Sequence, residues 1–272
     1  MTKIRESRKV VIGVRESAQP FSFADAHRQP VGYAVDLCLN AVDEIKHALK
    51  IPDLNVEFKY VTGSERIPRL VAGEIDMECG TTTNTVARQE KVDFSYTFFV
   101  AAMRVLVPRN VRIETLADLD GLPVALSKGT TSEKLFNQLA GAELRRTNLI
   151  VYSNNGDAYK ALKDGKVRAF AQDDSLLLGL VSSDKTLDQF GVSALALSVE
   201  PYAVMVRKGD AALLAAIDHS LARLYATGEI KGLYDKWFQT DSLSIKMNRL
   251  TRDSFARPNK QAGVAIRLGY SL

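Results

Sequence analysis

Twice along this chain, short β-rich apolar runs alternate with longer stretches of helical spacing, and this alternation limits the fold more than any other feature. In the first half, residues 9–14 (Lys-Val-Val-Ile-Gly-Val) read as a strand and 32–48 as a helix. The helix carries Val35, Leu37, Leu39, Val42, Ile45 and Leu49 as its apolar positions. Residues 53–61 read as a strand, 68–72 as a helix and 75–79 as a buried strand. After an extended run at 103–107 the same order returns: strands at 122–126, 150–152 and 167–171, with helices at 133–139 and 156–163 between them. Such a sequence folds as layered α/β structure with helices covering a mostly parallel sheet. Two such runs in 272 residues also match the length expected of two compact units.

The runs 101–107 and 196–206, the second interrupted by Pro201, read as two crossings between the units, and two crossings make a hinge. The expected division is residues 1–103 with 201–240 as lobe 1, residues 104–200 as lobe 2, and 241–272 as a basic C-terminal extension associated with lobe 1. A long helix over 211–227, closed by Gly228, and a short one around Tyr234, Trp237 and Phe238 complete the body.

The net charge of +4 is local. Six basic residues after position 240 (Lys246, Arg249, Arg252, Arg257, Lys260 and Arg267) stand against Asp241 and Asp253, and they account for the whole excess. Without a series of interleaved aromatics this tail reads as a solvated surface extension, not a nucleic-acid arm, and no nucleic-acid partner is expected. Hydrophobic residues at 46% and charged residues at 25% exclude disordered, collagen-like and coiled-coil classes. No apolar run approaches the ~18 residues of a membrane helix, and residues 1–9 are too charged for a signal peptide. A mature exported protein would look the same, so export stays open.

The familiar catalytic patterns are missing. Neither Gly-x-x-x-x-Gly-Lys-Ser/Thr nor Gly-x-Gly-x-x-Gly occurs, which argues against nucleotide binding. There is no Gly-x-Ser-x-Gly, and neither cysteine has an identifiable histidine partner. Asp173 and Asp174 are adjacent on a strand reading, so their carboxylates face opposite ways and make a poor acid/base couple. His27, His47 and His219 have polar neighbours and read as solvent-facing; no metal, cofactor or catalytic residue is expected. Cys38 and Cys79 lie in apolar surroundings. Buried free thiols are the plainer reading, with a disulfide open to them in an oxidising compartment.

What remains is a set of ligand-type groups at strand ends. Residues 73–88 place a short strand before Gly80, three consecutive threonines and then Arg88. Free N–H groups, hydroxyls and a guanidinium there form a cradle for a carboxylate. Arg15, Arg66, Thr81, Thr83 and Arg88 come from the first half, and Thr131, Asn155 and Asp173 from the second. Three arginines near one mouth suit a ligand with more than one carboxylate, and Asp173 supplies the charge an ammonium needs.

At these residues the chain resembles the amino-acid-binding proteins of ABC importers, solute-binding family 3, and among them the glutamate/aspartate-binding type. The resemblance runs from about Val10 to Phe238. It is carried by Val-Arg-Glu-Ser at 14–17, Arg66-Ile67-Pro68, the run from Glu78 to Asn84, Arg88-Gln89, the run from Gly129 to Glu133, Gly156-Asp157 and Asp173-Asp174. It implies a type II periplasmic binding protein fold, in which two Rossmann-like α/β lobes joined by a two-strand hinge close over one amino acid. It further implies a monomeric periplasmic receptor that delivers glutamate or aspartate to a membrane permease, with no cofactor. Arg88 and the Thr81–Thr83 turn would hold the α-carboxylate, Thr131 and Asp173 the lower end and the α-ammonium, and Arg15 and Arg66 the side-chain carboxylate. Relatives that import cationic amino acids look acidic near the end of the first strand, so Arg15 would set the preference by charge. The chain departs from the acidic-ligand pattern at Asn155, where relatives place a histidine, and at Gly63, where they place a serine. The same fold also resembles dehydratases of the cyclohexadienyl type and the ligand-sensing domains of membrane receptors.

Overall fold

The computed structural model describes residues 1–266. Arg267, one of the basic residues of the tail, lies outside the described residues. Among the described residues two main sheets form. The first runs in the order Asn55–Tyr60, Lys9–Val14, Met77–Cys79, Met205–Arg207 and Val92–Phe94. Its first three strands are parallel, which requires the crossover helices Tyr33–Leu49 and Arg66–Val71. The second sheet orders Leu149–Tyr152, Val124–Ser127, Ala169–Asp173, Phe99–Pro108, Ser198–Tyr202 and Val264–Ala265, with Phe190–Val192 also paired to Phe99–Pro108. Here again the three strands of the alternating run are parallel and the crossing strands antiparallel.

Helix Tyr33–Leu49 shows how the pattern builds a lobe. Ala34, Leu37, Cys38, Ala41, Val42 and Ile45 recur at spacings of three and one and form one buried face. Leu39, which the sequence reading placed on that face, falls outside this repeat and is 38% exposed. The helix stops where Lys50 turns left-handed; the Lys50 N–H returns to the His47 carbonyl and the Ile51 N–H to the Lys46 carbonyl. On the buried face Cys38 meets Cys79, at the end of Met77–Cys79, and the two form a disulfide with Cα atoms 6.3 Å apart. The free-thiol reading is corrected here. Apolar neighbours are equally compatible with either state, and only the packing of helix on strand brings the sulfurs together.

The long strand Phe99–Pro108 is the joint between the lobes. Phe99 and Ala101 pack in the first lobe's core with Tyr202 and Val204, whereas Met103, Val105 and Val107 pack in a core of the second. Its antiparallel partner pairs Tyr202 with Phe99 and Ser198 with Met103. Pro201 lies within this partner strand, opposite Val100, although the sequence reading took it as an interruption. It is tolerated because the strand on its other side, Val264–Ala265, pairs only with Ser198 and Val199.

The C-terminal extension packs more closely than a solvated surface segment. Helix Arg249–Ala256 lies against Ala211–Thr227, with Phe255 stacked on Tyr225 at 4.7 Å between centroids. The Val100 carbonyl accepts from Asn248 Nδ2 at 2.7 Å, and the Val100 N–H donates to Thr251 Oγ1 at 3.0 Å. Farther on, Gly263 N–H donates to the Asn84 carbonyl, and Ala265 is buried in a core of the second lobe. The extension therefore touches both lobes.

Candidate ligand-binding site

Between the lobes lies a narrow polar cavity of about 10 Å3, room for about one water. Seven of the eight residues singled out in the sequence line it: Arg15, Arg66, Thr81 and Thr83 from one side, and Thr131, Asn155 and Asp173 from the other. Their elements explain the convergence. Arg15 follows Lys9–Val14, the threonines follow Met77–Cys79, and Asp173 ends Ala169–Asp173, so all sit beyond carboxyl ends of parallel strands. Thr131 and Asn155 begin helices whose first turns are capped by Thr130 and Asn154. Arg88 does not line the cavity. Its guanidinium donates to the carbonyls of Thr83 at 2.9 Å and Gly129 at 3.2 Å, the second bond crossing between the lobes.

The charges are unevenly satisfied. Arg15 is 4% exposed, yet its guanidinium makes no hydrogen bond among the described residues. Arg66 donates from Nη1 to Thr82 Oγ1 at 2.6 Å and from Nη2 to the Gly129 carbonyl at 3.4 Å, while its Nε has no partner. None of the three arginines forms an ion pair within 4.0 Å among the described residues. Burial pushes Arg15 down to about 10 and Arg88 down to about 9, with repulsion from Arg66 adding to both. Each is still a guanidinium at neutral pH.

Asp173 Oδ2 accepts from the Tyr202 hydroxyl, while its Oδ1 is buried without a partner. Burial, then the nearby Glu200, raises the Asp173 carboxyl well above the ordinary range. Asp174 turns away, accepting from the Ala102 and Ser175 N–H groups and lying 3.5 Å from Arg104. The two carboxylates diverge as expected, but because Asp173 ends a strand and Asp174 begins a helix. The Asn155 oxygen is fully engaged, accepting from Ser127 at 2.7 Å and Gln172 at 2.9 Å, and its amide donates to the Ser17 carbonyl at 3.2 Å.

Three buried groups behind the cavity escaped the sequence reading. Glu78 accepts from Thr82, Glu200 accepts from Thr131 and Ser198, and Tyr202 holds Asp173. For Glu78 a signal existed, since an acid between Met77 and Cys79 in a central strand has no route to solvent. Thr130, Gln172 and Leu176 also line the cavity.

Residues 10–240 match the family described as bacterial extracellular solute-binding proteins, family 3. This chain belongs to that family. Among its relatives, the L-glutamate/L-aspartate-binding protein of Pseudomonas aeruginosa is 37% identical, over 96% of this chain and 89% of the relative. The glutamate/aspartate import solute-binding protein of Escherichia coli is 34% identical with the same coverage. Among solved structures, the P235GK mutant of ArgBP from T. maritima superposes with a TM-score of 0.78 at 28% identity, covering 88% of this chain and 99% of that one. The two-lobed α/β architecture of this solute-binding protein is thus the family's own. Its three histidines lie outside the cavity lining.

Proposed function

We propose that this solute-binding protein receives an acidic amino acid, L-glutamate or L-aspartate, in its interlobe cavity in the periplasm and delivers it as a monomer to an ABC permease. The observation that carries the reading is Arg15, a buried guanidinium with no ion pair and no hydrogen bond among the described residues, facing a polar cavity beside Arg66. A buried charge of this kind is stable only with a counter-charge, and a ligand side-chain carboxylate supplies it. Both sequence relatives described above carry glutamate and aspartate in their names, which supports the same class.

In this reading the α-carboxylate meets the Thr81–Thr83 turn, with Arg88 behind it offering the N–H groups it does not spend on Thr83 and Gly129. Asp173 Oδ1 and Thr131 receive the ammonium. Asn155, its oxygen already accepting two bonds, joins the lobes through Ser17 instead of meeting the ammonium. Contacts from both lobes exist only in the closed form, so ligand shifts the hinge equilibrium towards closure. The narrow cavity widens as the lobes part to admit ligand.

A thermal-shift series of the twenty amino acids tests this. Glutamate and aspartate at ~100 times Kd add ~2.7 kcal/mol of stability, and glutamine adds little. A largest shift with a neutral or cationic amino acid overturns the reading. The Asp173 carboxyl beside Tyr202, raised well above the ordinary range by burial, is a group with proton-transfer chemistry, which keeps a dehydratase reading in view. Incubation with prephenate or arogenate is expected to give no turnover.

A further inference from the structure

Glu78 is fully buried in the central strand of the first sheet, and the assigned ligand contacts do not use it. One of its oxygens accepts from Thr82 Oγ1 at 2.7 Å, and that same hydroxyl accepts from Arg66 Nη1 at 2.6 Å. The relay fixes the Arg66 guanidinium through a neutral hydroxyl. The other oxygen, Oε1, is buried and unpartnered. It lies 2.3 Å from where a Cβ on Gly80 would stand, and Arg15 Cγ lies 2.9 Å from that point, so a side chain at Gly80 would displace Glu78 and Arg15 from these positions. Glu78 is therefore wedged beneath both arginines without an ion pair to either, and its charge favours the charged form of each. The remaining charges around the cavity, Arg88, Asp173 and Glu200, do not share this relay.

We infer that Glu78 is a specificity-determining residue that offsets one of the two buried guanidinium charges, so that the Arg15–Arg66 end of the site accepts a side chain carrying one negative charge. The inference rests on the proposed acidic-ligand reading. Two guanidinium groups alone would suit a doubly charged side chain; with the Glu78 carboxylate between them the net charge is +1, matching a carboxylate. Gly80 is then small because the turn is built around that buried acid.

The test compares L-glutamate, L-glutamine and L-2-amino-4-phosphonobutyrate, whose phosphonate becomes doubly charged on losing its second proton, by calorimetry on the wild-type protein and on Glu78→Gln. The expected result is that Glu78→Gln raises affinity for the phosphonate relative to glutamate at least tenfold and sharpens rejection of glutamine. If all three affinities fall in one proportion, or none changes, Glu78 has only a structural role and the inference is overturned. If wild-type protein binds no acidic ligand, the functional reading fails and takes this inference with it. Should Glu78→Gln not fold, the wild type decides by itself: in buffers of differing ionisation enthalpy, at a pH above the second phosphonate ionisation, binding of the phosphonate should take up about one proton more than binding of glutamate at the same pH. Equal proton balances for the two ligands overturn the inference.

Discussion

Arg15 and Asp173 are two cavity residues where burial and charge conflict, and both lead to measurable outcomes. With Arg15→Asp the cavity gains a carboxylate where the proposed ligand places its own. We expect the loss for glutamate to exceed the loss for glutamine by at least tenfold in calorimetry; equal losses would remove its role in selectivity. Asp173 has its folded carboxyl raised by burial and by Glu200. Its neutral form is therefore the favoured one, and the stability it contributes is fully present below the unfolded value, about 3.9. That contribution is lost as pH rises through the folded value. Ligand-free protein should lose stability in urea titrations as pH rises above the ordinary carboxylate range, and Asp173→Asn should flatten that slope. An ammonium held by Asp173 reverses the preference, so ligand binding should release a proton at a pH below that raised value.

At the scale of elements, the disulfide joins the first crossover helix to the strand that carries the threonine turn, closing a separation of 41 residues. Loop closure of that length contributes on the order of 2–4 kcal/mol, so Cys79→Ser should lower Tm by roughly 5–10 °C. Reductant should reproduce the shift in wild type and do nothing in the variant. Elements were most legible where local signals agreed. Helix Ala211–Thr227 runs from an Asp210 cap to Gly228 in a left-handed turn, within the bounds its pattern predicts. Legibility failed where tertiary contact decides the outcome. Pro201 sits inside a strand because only part of that strand has a second neighbour, and the cysteines pair because a helix face meets a strand end. The cavity lining could be read because ligand-type residues follow strands at fixed places. Glu200 could not, and Glu78 only through its place between Met77 and Cys79 in a buried strand, since a strand pattern treats an interior acid as noise unless its neighbours in the sheet are known.

For the whole molecule, the number of connections between lobes is the relevant quantity. Besides the paired strands Phe99–Pro108 and Ser198–Tyr202, the C-terminal segment anchors one helix on Ala211–Thr227 and buries Ala265 among the second lobe's side chains. Lobe motion therefore has to bend three segments together. On the opposite side of the cavity the lobes meet at Gly129, which has φ +76° and places its missing Cβ 2.6 Å from backbone atoms of Gly63 and Ser64. Gly129→Val should leave each lobe folded but keep the cavity from shutting. X-ray scattering should show wild type compacting at saturating glutamate and the variant failing to do so, with affinity reduced by the lost closed population. Compaction of the variant equal to wild type would exclude this contact as a constraint on closure.

Because backbone meets backbone there, with no side chain to compress, the jaws can close no further than this separation. A calliper resting on its stop sets a minimum gap and leaves the maximum to its object. At the stop the cavity has room for about one water, so an amino acid would hold the jaws wider or displace the long arginine stems, and aspartate, shorter than glutamate by one methylene, would let them settle nearer the stop.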